Sequence, residues 1–256
     1  EADSAAAIVL SPNGEILALA NYPSTDPNNH QNYSADDYRN RVFSDKTEPG
    51  STMKPFTMLL ALDKGVITAT DDEFIDVTKR VGHVQTDGKY SEITIQKILE
   101  KSHNLGTVVV SERLINEDYY STWEKLGFGK SLGIMPGTEN QGILRHYSNW
   151  GLADKRTLAY GYGPMNTNLA QLARAYLVFA NEGSLPSLKL FKNDKATDNF
   201  QQVFSPESTR RIAEILDSVA SIEGSGYRAV IDGYSVAGKT GTAEMVIEGN
   251  YDKNGA

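Results

Sequence analysis

Glu48-Pro-Gly-Ser-Thr-Met-Lys-Pro-Phe-Thr57 opens the stretch on which the fold turns. Met53, Phe56, Met58, Leu59, Leu60 and Leu62 make the following segment apolar nearly all round, which predicts a buried helix ended by Gly65. Proline has no N–H, and its ring clashes with the carbonyl four residues back, so a helix accepts it only in its first turn. Pro55 therefore fixes the start of the helix and puts Ser51 at its N-terminus. Unpaired N–H groups and the positive end of the helix dipole favour developing negative charge there. Lys54 comes three residues later on the same face, within reach of the Ser51 hydroxyl.

Two further motifs stand downstream in order, Ser102-His-Asn104 and Lys239-Thr-Gly-Thr242. S-x-x-K alone is a weak signal, but among all serines here it occurs only at Ser51. S-x-N occurs twice; the other copy, Ser11-Pro-Asn13, runs into Gly14 between two apolar stretches and reads as a hairpin turn. K-T-G occurs once. The ordered set supplies a hydroxyl nucleophile, an amine to deprotonate it, a second hydroxyl to relay protons and a cationic strand to hold a carboxylate. That is the equipment for acyl transfer through a serine ester.

Glu48 to Thr57, Lys101-Ser-His-Asn-Leu-Gly106 and Ala237-Gly-Lys-Thr-Gly-Thr-Ala243 resemble the transpeptidase domain of penicillin-binding proteins, above all the monofunctional, division-specific class B type. The segments Ala5 to Pro23 and Tyr160 to Tyr176 agree, so the resemblance covers nearly the whole chain. It implies a peptidoglycan D,D-transpeptidase in which Ser51 attacks a D-alanyl-D-alanine terminus and forms an acyl-enzyme. Lys54, held neutral by burial and by Lys239, takes the proton. Ser102 relays a proton to the leaving nitrogen, and Asn104 binds the substrate's backbone amide. Lys239, Thr240 and Thr242 hold the terminal carboxylate, and the N–H groups of Ser51 and Thr242 form the oxyanion hole. A second stem peptide attacks the ester, and β-lactams trap Ser51. By the same resemblance the protein needs no cofactor, works with cell-division membrane proteins, and stands on the periplasmic side of the bacterial inner membrane. The anchor and pedestal usual in the family, and the strands and helix usual beyond K-T-G-T, are expected to lie outside this chain. His103 and the Tyr160-Gly-Tyr-Gly163 segment are given no chemistry.

The 256 residues, 39% of them hydrophobic, suffice for one large domain with a real core. The net charge of −8, with no basic stripe, argues against a nucleic-acid partner. With no cysteine there is neither a disulfide nor a thiolate metal site, and the four histidines show no metal-ligand spacing. No apolar run is long enough to span a bilayer, and no signal peptide precedes the first strand-like run.

Ala5 to Leu10 and Glu15 to Ala20 predict a hairpin, and Asn21 to Glu48 an irregular polar connection. Helices are predicted over Ile93 to Lys101, Leu105 to Leu114, Glu117 to Leu126, Thr167 to Asn181 and from Ser205-Pro206 to about Ser221. Tyr234 to Ile247 reads as a strand carrying Lys239 to Thr242. The order predicts an α/β (α+β) fold. An antiparallel sheet lobe comes from about 1–50 and 205–256, and a helical lobe from about 51–204 is inserted into it, with the site in the cleft between.

Three other readings fit parts of the sequence. A serine β-lactamase needs a base for deacylation; Glu112, Glu117, Glu124 and Glu139 fall in the right interval but none lies in an E-x-x-L-N setting. A penicillin sensor or pseudoenzyme would keep the pocket without turnover. Gly233 to Thr240 also matches the phosphate-binding pattern G-x-x-x-x-G-K-[ST], yet Gly241 to Ile247 is β-like where that loop needs a helix.

Overall fold

The computed structural model describes residues 2–191, 199–243, 246–247 and 250–251. Strands β1 (Ala5–Leu10) and β2 (Ile16–Tyr22) form the expected antiparallel hairpin, with a register shift between Val9 and Leu10. Gly14 turns the hairpin at φ +85, where any Cβ would overlap Ser187 O, so this turn requires glycine.

The connection from residue 21 to 48 is less irregular than its composition predicts. It contains a short helix, α1 (Arg41–Ser44), whose Val42 and Phe43 are fully buried. Two adjacent apolar residues give no periodicity, so the sequence carries no readable signal for this helix.

Helix α2 (Lys54–Asp63) is buried from Lys54 through Ala61, as an all-round apolar helix must be. Phe56 lies at its heart, edge-on to Trp123, Phe128 and Tyr176 and tilted against Phe179 at 5.5 Å. Each such ring removed from water contributes about 1.5–3 kcal/mol.

Strands β3 (Phe74–Asp76) and β4 (Glu92–Thr94) pair with each other and lead into α3 (Ile95–Glu100), α4 (Asn104–Glu112) and α5 (Asn116–Leu126). Gly127 closes α5 in the left-handed conformation. The two-residue strands β5 (Ile143–Leu144) and β6 (Met165–Asn166) bracket α6 (Leu152–Leu158), a helix with only one buried residue and so no apolar stripe to announce it. Asn168 and Gln171 form a capping box for α7 (Leu169–Ala180), which packs on β1 and α1. Strands β7 (Ser184–Leu185) and β8 (Gln201–Gln202) pair before α8 (Pro206–Val219), capped by Ser205 and packed on α2 and α3. Strands β9 (Val246–Ile247) and β10 (Asn250–Tyr251) pair with each other.

The fold is mixed α/β with antiparallel pairing, but every ladder among the described residues has two strands. The predicted strand from 234 to 247 is reduced to β9; Val236 to Ala243 has no ladder partner among the described residues. Its backbone groups are used elsewhere. Gly238 N–H donates to Leu216 O at 3.2 Å, and Thr242 O accepts from the Tyr162 hydroxyl at 2.7 Å. Residues 244–245 of that predicted strand lie outside the described residues, as do most of the polar tail after Ile247 and part of the polar excursion after Phe191. No helix among the described residues is long and apolar enough to cross a membrane.

Candidate active site

The nucleophile candidate sits one step earlier than an α-helical first turn. Gly50–Met53 forms a 3-10 turn, Lys54 is the first α-helical residue, and Pro55 lies in the first turn. Three bonds pin the 3-10 turn. Gly50 N–H donates to Gly161 O at 3.0 Å, Thr52 Oγ1 to Pro49 O at 2.6 Å, and the Tyr176 hydroxyl to Thr52 O at 2.7 Å. Ser51 is half-buried, and its hydroxyl has no hydrogen-bond partner among the described residues.

Ser102-His103-Asn104 is the predicted corner, and its geometry explains why three residues suffice. His103 N–H donates to Ile98 O at 2.9 Å and Ser102 N–H to Leu99 O at 3.2 Å, the paired bonds of a Schellman motif closing α3. Ser102 takes the left-handed position at φ +53, normally held by glycine. His103 then caps α4, its Nδ1 accepting from Gly106 N–H at 3.0 Å. One chain reversal thus presents the Ser102 carbonyl, the Ser102 hydroxyl and the Asn104 amide to the same point.

That point is Lys54. Its side chain is fully buried, and Nζ donates to Ser102 O, to Ser102 Oγ at 3.2 Å and to Asn104 Oδ1 at 2.5 Å. The amine is therefore directed at the corner, not at Ser51, although the helical spacing alone puts those two residues within reach. Burial, with the charge of Lys239 second, pushes the Lys54 amine down to about 6. Lys239 Nζ donates to Ser102 Oγ at 2.9 Å and to Thr240 O at 2.9 Å, and burial pushes it down to about 8. Ser102 Oγ is thus shared by two lysines whose sequence positions lie 185 apart (239 minus 54).

The third segment comes to the first as well. A Cβ on Gly241 would stand 2.6 Å from Thr52 Cγ2, and one on Gly50 would stand 2.5 Å from Thr242 O. Both glycines are the condition for this close approach. Thr240 Oγ1 donates to Ser225 Oγ at 3.2 Å, and both Thr240 and Thr242 are exposed. All seven predicted residues lie on these three converging segments. Lys54, Ser102, Asn104 and Lys239 are joined directly by hydrogen bonds. Ser51, Thr240 and Thr242 are not bonded to that group beyond the Lys239 contact to Thr240.

The Tyr160-Gly-Tyr-Gly163 segment is closer to the site than its sequence indicates. A Cβ on Gly161 would overlap Gly50 O and stand 2.6 Å from Gly50 N, and Gly163 N–H donates to Glu48 Oε1 at 2.9 Å. With the Tyr162 hydroxyl on Thr242 O, this segment braces the first and third motifs together. Two glycines spaced around a tyrosine are the available signal, and it cannot be told from an ordinary turn.

Three of the four carboxylates considered as deacylating bases are engaged with other groups, and Glu117 lies in the first turn of α5. Glu112 pairs with Arg156 at 3.0 Å, Glu124 pairs with Lys130 at 3.3 Å, and Glu139 accepts from the N–H groups of Leu132, Gly133 and Ile134. No helix continues from Lys239-Thr240 through Ala243, which removes the phosphate-loop alternative.

The family model for the penicillin binding protein transpeptidase domain matches residues 5–256. The chain is 34% identical to a probable peptidoglycan D,D-transpeptidase, PenA, of Neisseria flavescens, covering 99% of this chain and 64% of that protein. It is likewise 34% identical to the peptidoglycan D,D-transpeptidase FtsI of Escherichia coli, covering 98% of this chain and 43% of that protein. The chain therefore spans about half the length of these relatives. Among solved structures, the apo transpeptidase domain of penicillin-binding protein 3 from Burkholderia pseudomallei superposes with a TM-score of 0.84 at 32% identity, over 97% of this chain and 72% of that one.

Proposed function

From the premise that this chain belongs to the penicillin-binding protein transpeptidase domain family, we propose that it is the catalytic part of a peptidoglycan D,D-transpeptidase. The observation that carries this is the Lys54–Ser102–Lys239 chain, with Ser102 Oγ 3.2 Å from one amine and 2.9 Å from the other.

With its amine depressed to about 6, Lys54 is mostly neutral at pH 7 and has a lone pair to offer. Ser51 Oγ attacks the carbonyl carbon of the penultimate D-alanine, and its proton passes to Lys54 Nζ. The oxyanion forms at the backbone N–H groups of Ser51 and Thr242. As the C–N bond breaks, the proton travels from Lys54 through Ser102 Oγ to the leaving D-alanine nitrogen. Lys239 still carries charge at pH 7 and holds the terminal carboxylate with Thr240 and Thr242. Asn104 binds the substrate's backbone amide. The amine of a second stem peptide then attacks the ester, releases Ser51 and completes the cross-link. β-Lactams acylate the same hydroxyl.

The engagement of Glu112, Glu124 and Glu139 away from the site favours a long-lived acyl-enzyme over rapid hydrolysis. By likeness to FtsI, named a peptidoglycan D,D-transpeptidase, the substrate is peptidoglycan; the resemblance to the division-specific class adds the outer side of a bacterial inner membrane and division proteins as partners. The test is mass spectrometry after incubation with penicillin. One covalent adduct on Ser51, lost in Ser51→Ala, is expected. An unmodified wild-type protein, or many turnovers of a chromogenic cephalosporin per molecule, would overturn the proposal.

A further inference from the structure

His103 stands between the two polar residues that face Lys54, yet its own ring nitrogens meet other groups. It is 7% exposed. Its Nδ1 accepts the Gly106 N–H at 3.0 Å, which leaves the imidazole proton on Nε2. That nitrogen lies 3.6 Å from Asp87 Oδ1, in a turn where Asp87 also accepts from Lys89 N–H at 2.9 Å. Tyr90 packs edge-on against the ring at 5.8 Å between centroids. One imidazole thus ties the 87–90 turn to the start of α4. The backbone it holds is that of Ser102 at φ +53, a conformation that costs roughly 1–2 kcal/mol and persists only where the surroundings enforce it.

We infer that His103 is a positioning residue of this site: capped on Gly106 through one ring nitrogen and facing Asp87 through the other, it holds Ser102 and Asn104 in register with the Lys54 amine. The inference rests on the acyl-transfer role proposed above and adds a residue to it.

The arrangement works only with a neutral ring. A proton on Nδ1 turns the acceptor into a donor facing the Gly106 N–H, and the cap is lost. The groups facing the ring are Asp87, Lys89 and the Tyr90 ring from the 87–90 turn and Lys54 from α2. Burial holds His103 below the ordinary histidine value; Asp87 opposes that shift, and Lys54 and Lys89 add to it. Acid therefore disables the corner separately from protonating Lys54.

Two measurements on the whole chain test this. First, nitrogen-detected NMR of the histidines should show the Nε2–H tautomer at His103, and Asp87→Asn should move its titration to lower pH. An Nδ1–H tautomer, or an unmoved titration, overturns the inference, and this arm needs no catalytic activity. Second, the acylation rate by a labelled penicillin should fall on the acid side with a limiting slope of two protons in wild type and one in His103→Asn. Asparagine still caps α4, so the melting temperature should hold while acylation at neutral pH drops about tenfold, as expected when a reacting group is slightly misplaced. An unchanged rate and slope in His103→Asn overturns the positioning role. Absence of any acylation in wild type sinks the acyl-transfer proposal, and the positioning role with it, whatever the NMR arm reports of the ring's anchorage.

Discussion

Ser102 Oγ accepts a hydrogen bond from Lys239 Nζ at 2.9 Å while its own backbone stands at φ +53. The same residue thus carries a functional contact and a local conformational penalty. Glycine relieves the penalty and alanine does not. Ser102→Gly should therefore be more stable than Ser102→Ala by about 1 kcal/mol in urea unfolding. Both should lose acylation by about 10²-fold or more. Equal stabilities would show that the left-handed corner relaxes without cost.

Lys239 is depressed to about 8, so it loses its charge only slightly above neutral pH. Acylation should fall on the alkaline side with a midpoint near pH 8. Arginine stays protonated throughout this range. Lys239→Arg should lower the plateau and remove the alkaline fall up to about pH 10. A retained fall near pH 8 would assign that titration to another group.

Lys54 also shapes stability against pH. Its folded value is about 6 against an ordinary 10.5, so between these limits the unfolded chain binds the extra proton. Stability then rises with pH across that window, by up to about 1.4 kcal/mol per pH unit from this group. Urea midpoints at about pH 6, 7 and 8 should climb in wild type and climb less in Lys54→Met. Methionine also fills the buried site without a charge, so that variant should be the more stable of the two at about pH 6.

Gly161 has φ +86 and its Cα lies against the Gly50 backbone. Gly161→Ala combines backbone strain with a collision against main-chain atoms that cannot rotate away. A loss of about 2–4 kcal/mol is expected by thermal or urea unfolding, with acylation reduced even well below the melting temperature. A near-neutral change would mean the nucleophile turn moves freely.

Tyr162→Phe removes the hydroxyl that donates to Thr242 O at 2.7 Å. The tyrosine is partly exposed, so stability should change by no more than about 1 kcal/mol. Acylation should fall about tenfold because this contact is one of the few that fix the place of the 239–242 segment among the described residues. Wild-type acylation rates would show that other contacts suffice.

How much of this is legible in the sequence varies with the range of the signal. Pro55 locates the start of α2 to within about a residue, because one covalent ring settles the matter locally. Ser205-Pro206 does the same for α8. Val42 and Phe43 cannot declare α1, since two apolar neighbours have no period. The alternation of Tyr234 to Ile247 suggests a strand, but a strand is completed by a partner, and no local pattern reports where the partner lies. At the site, residue types and order are readable; which acceptor Lys54 faces is not. Nor is the bracing role of Gly161 and Tyr162, which depends on a contact more than a hundred residues away in sequence (161 against 50).

Thr52 and Gly50, on either side of Ser51, are each fastened to a different distant element: the first to Tyr176 of α7, the second to Gly161. Tyr176 in turn packs edge-on to Phe56 at 5.0 Å, in the centre of the molecule. A segment so moored cannot fray by itself, because its opening requires the interior to open. Heat inactivation and global melting should therefore share one midpoint, and a protein warmed short of that temperature should keep its full reactivity toward penicillin.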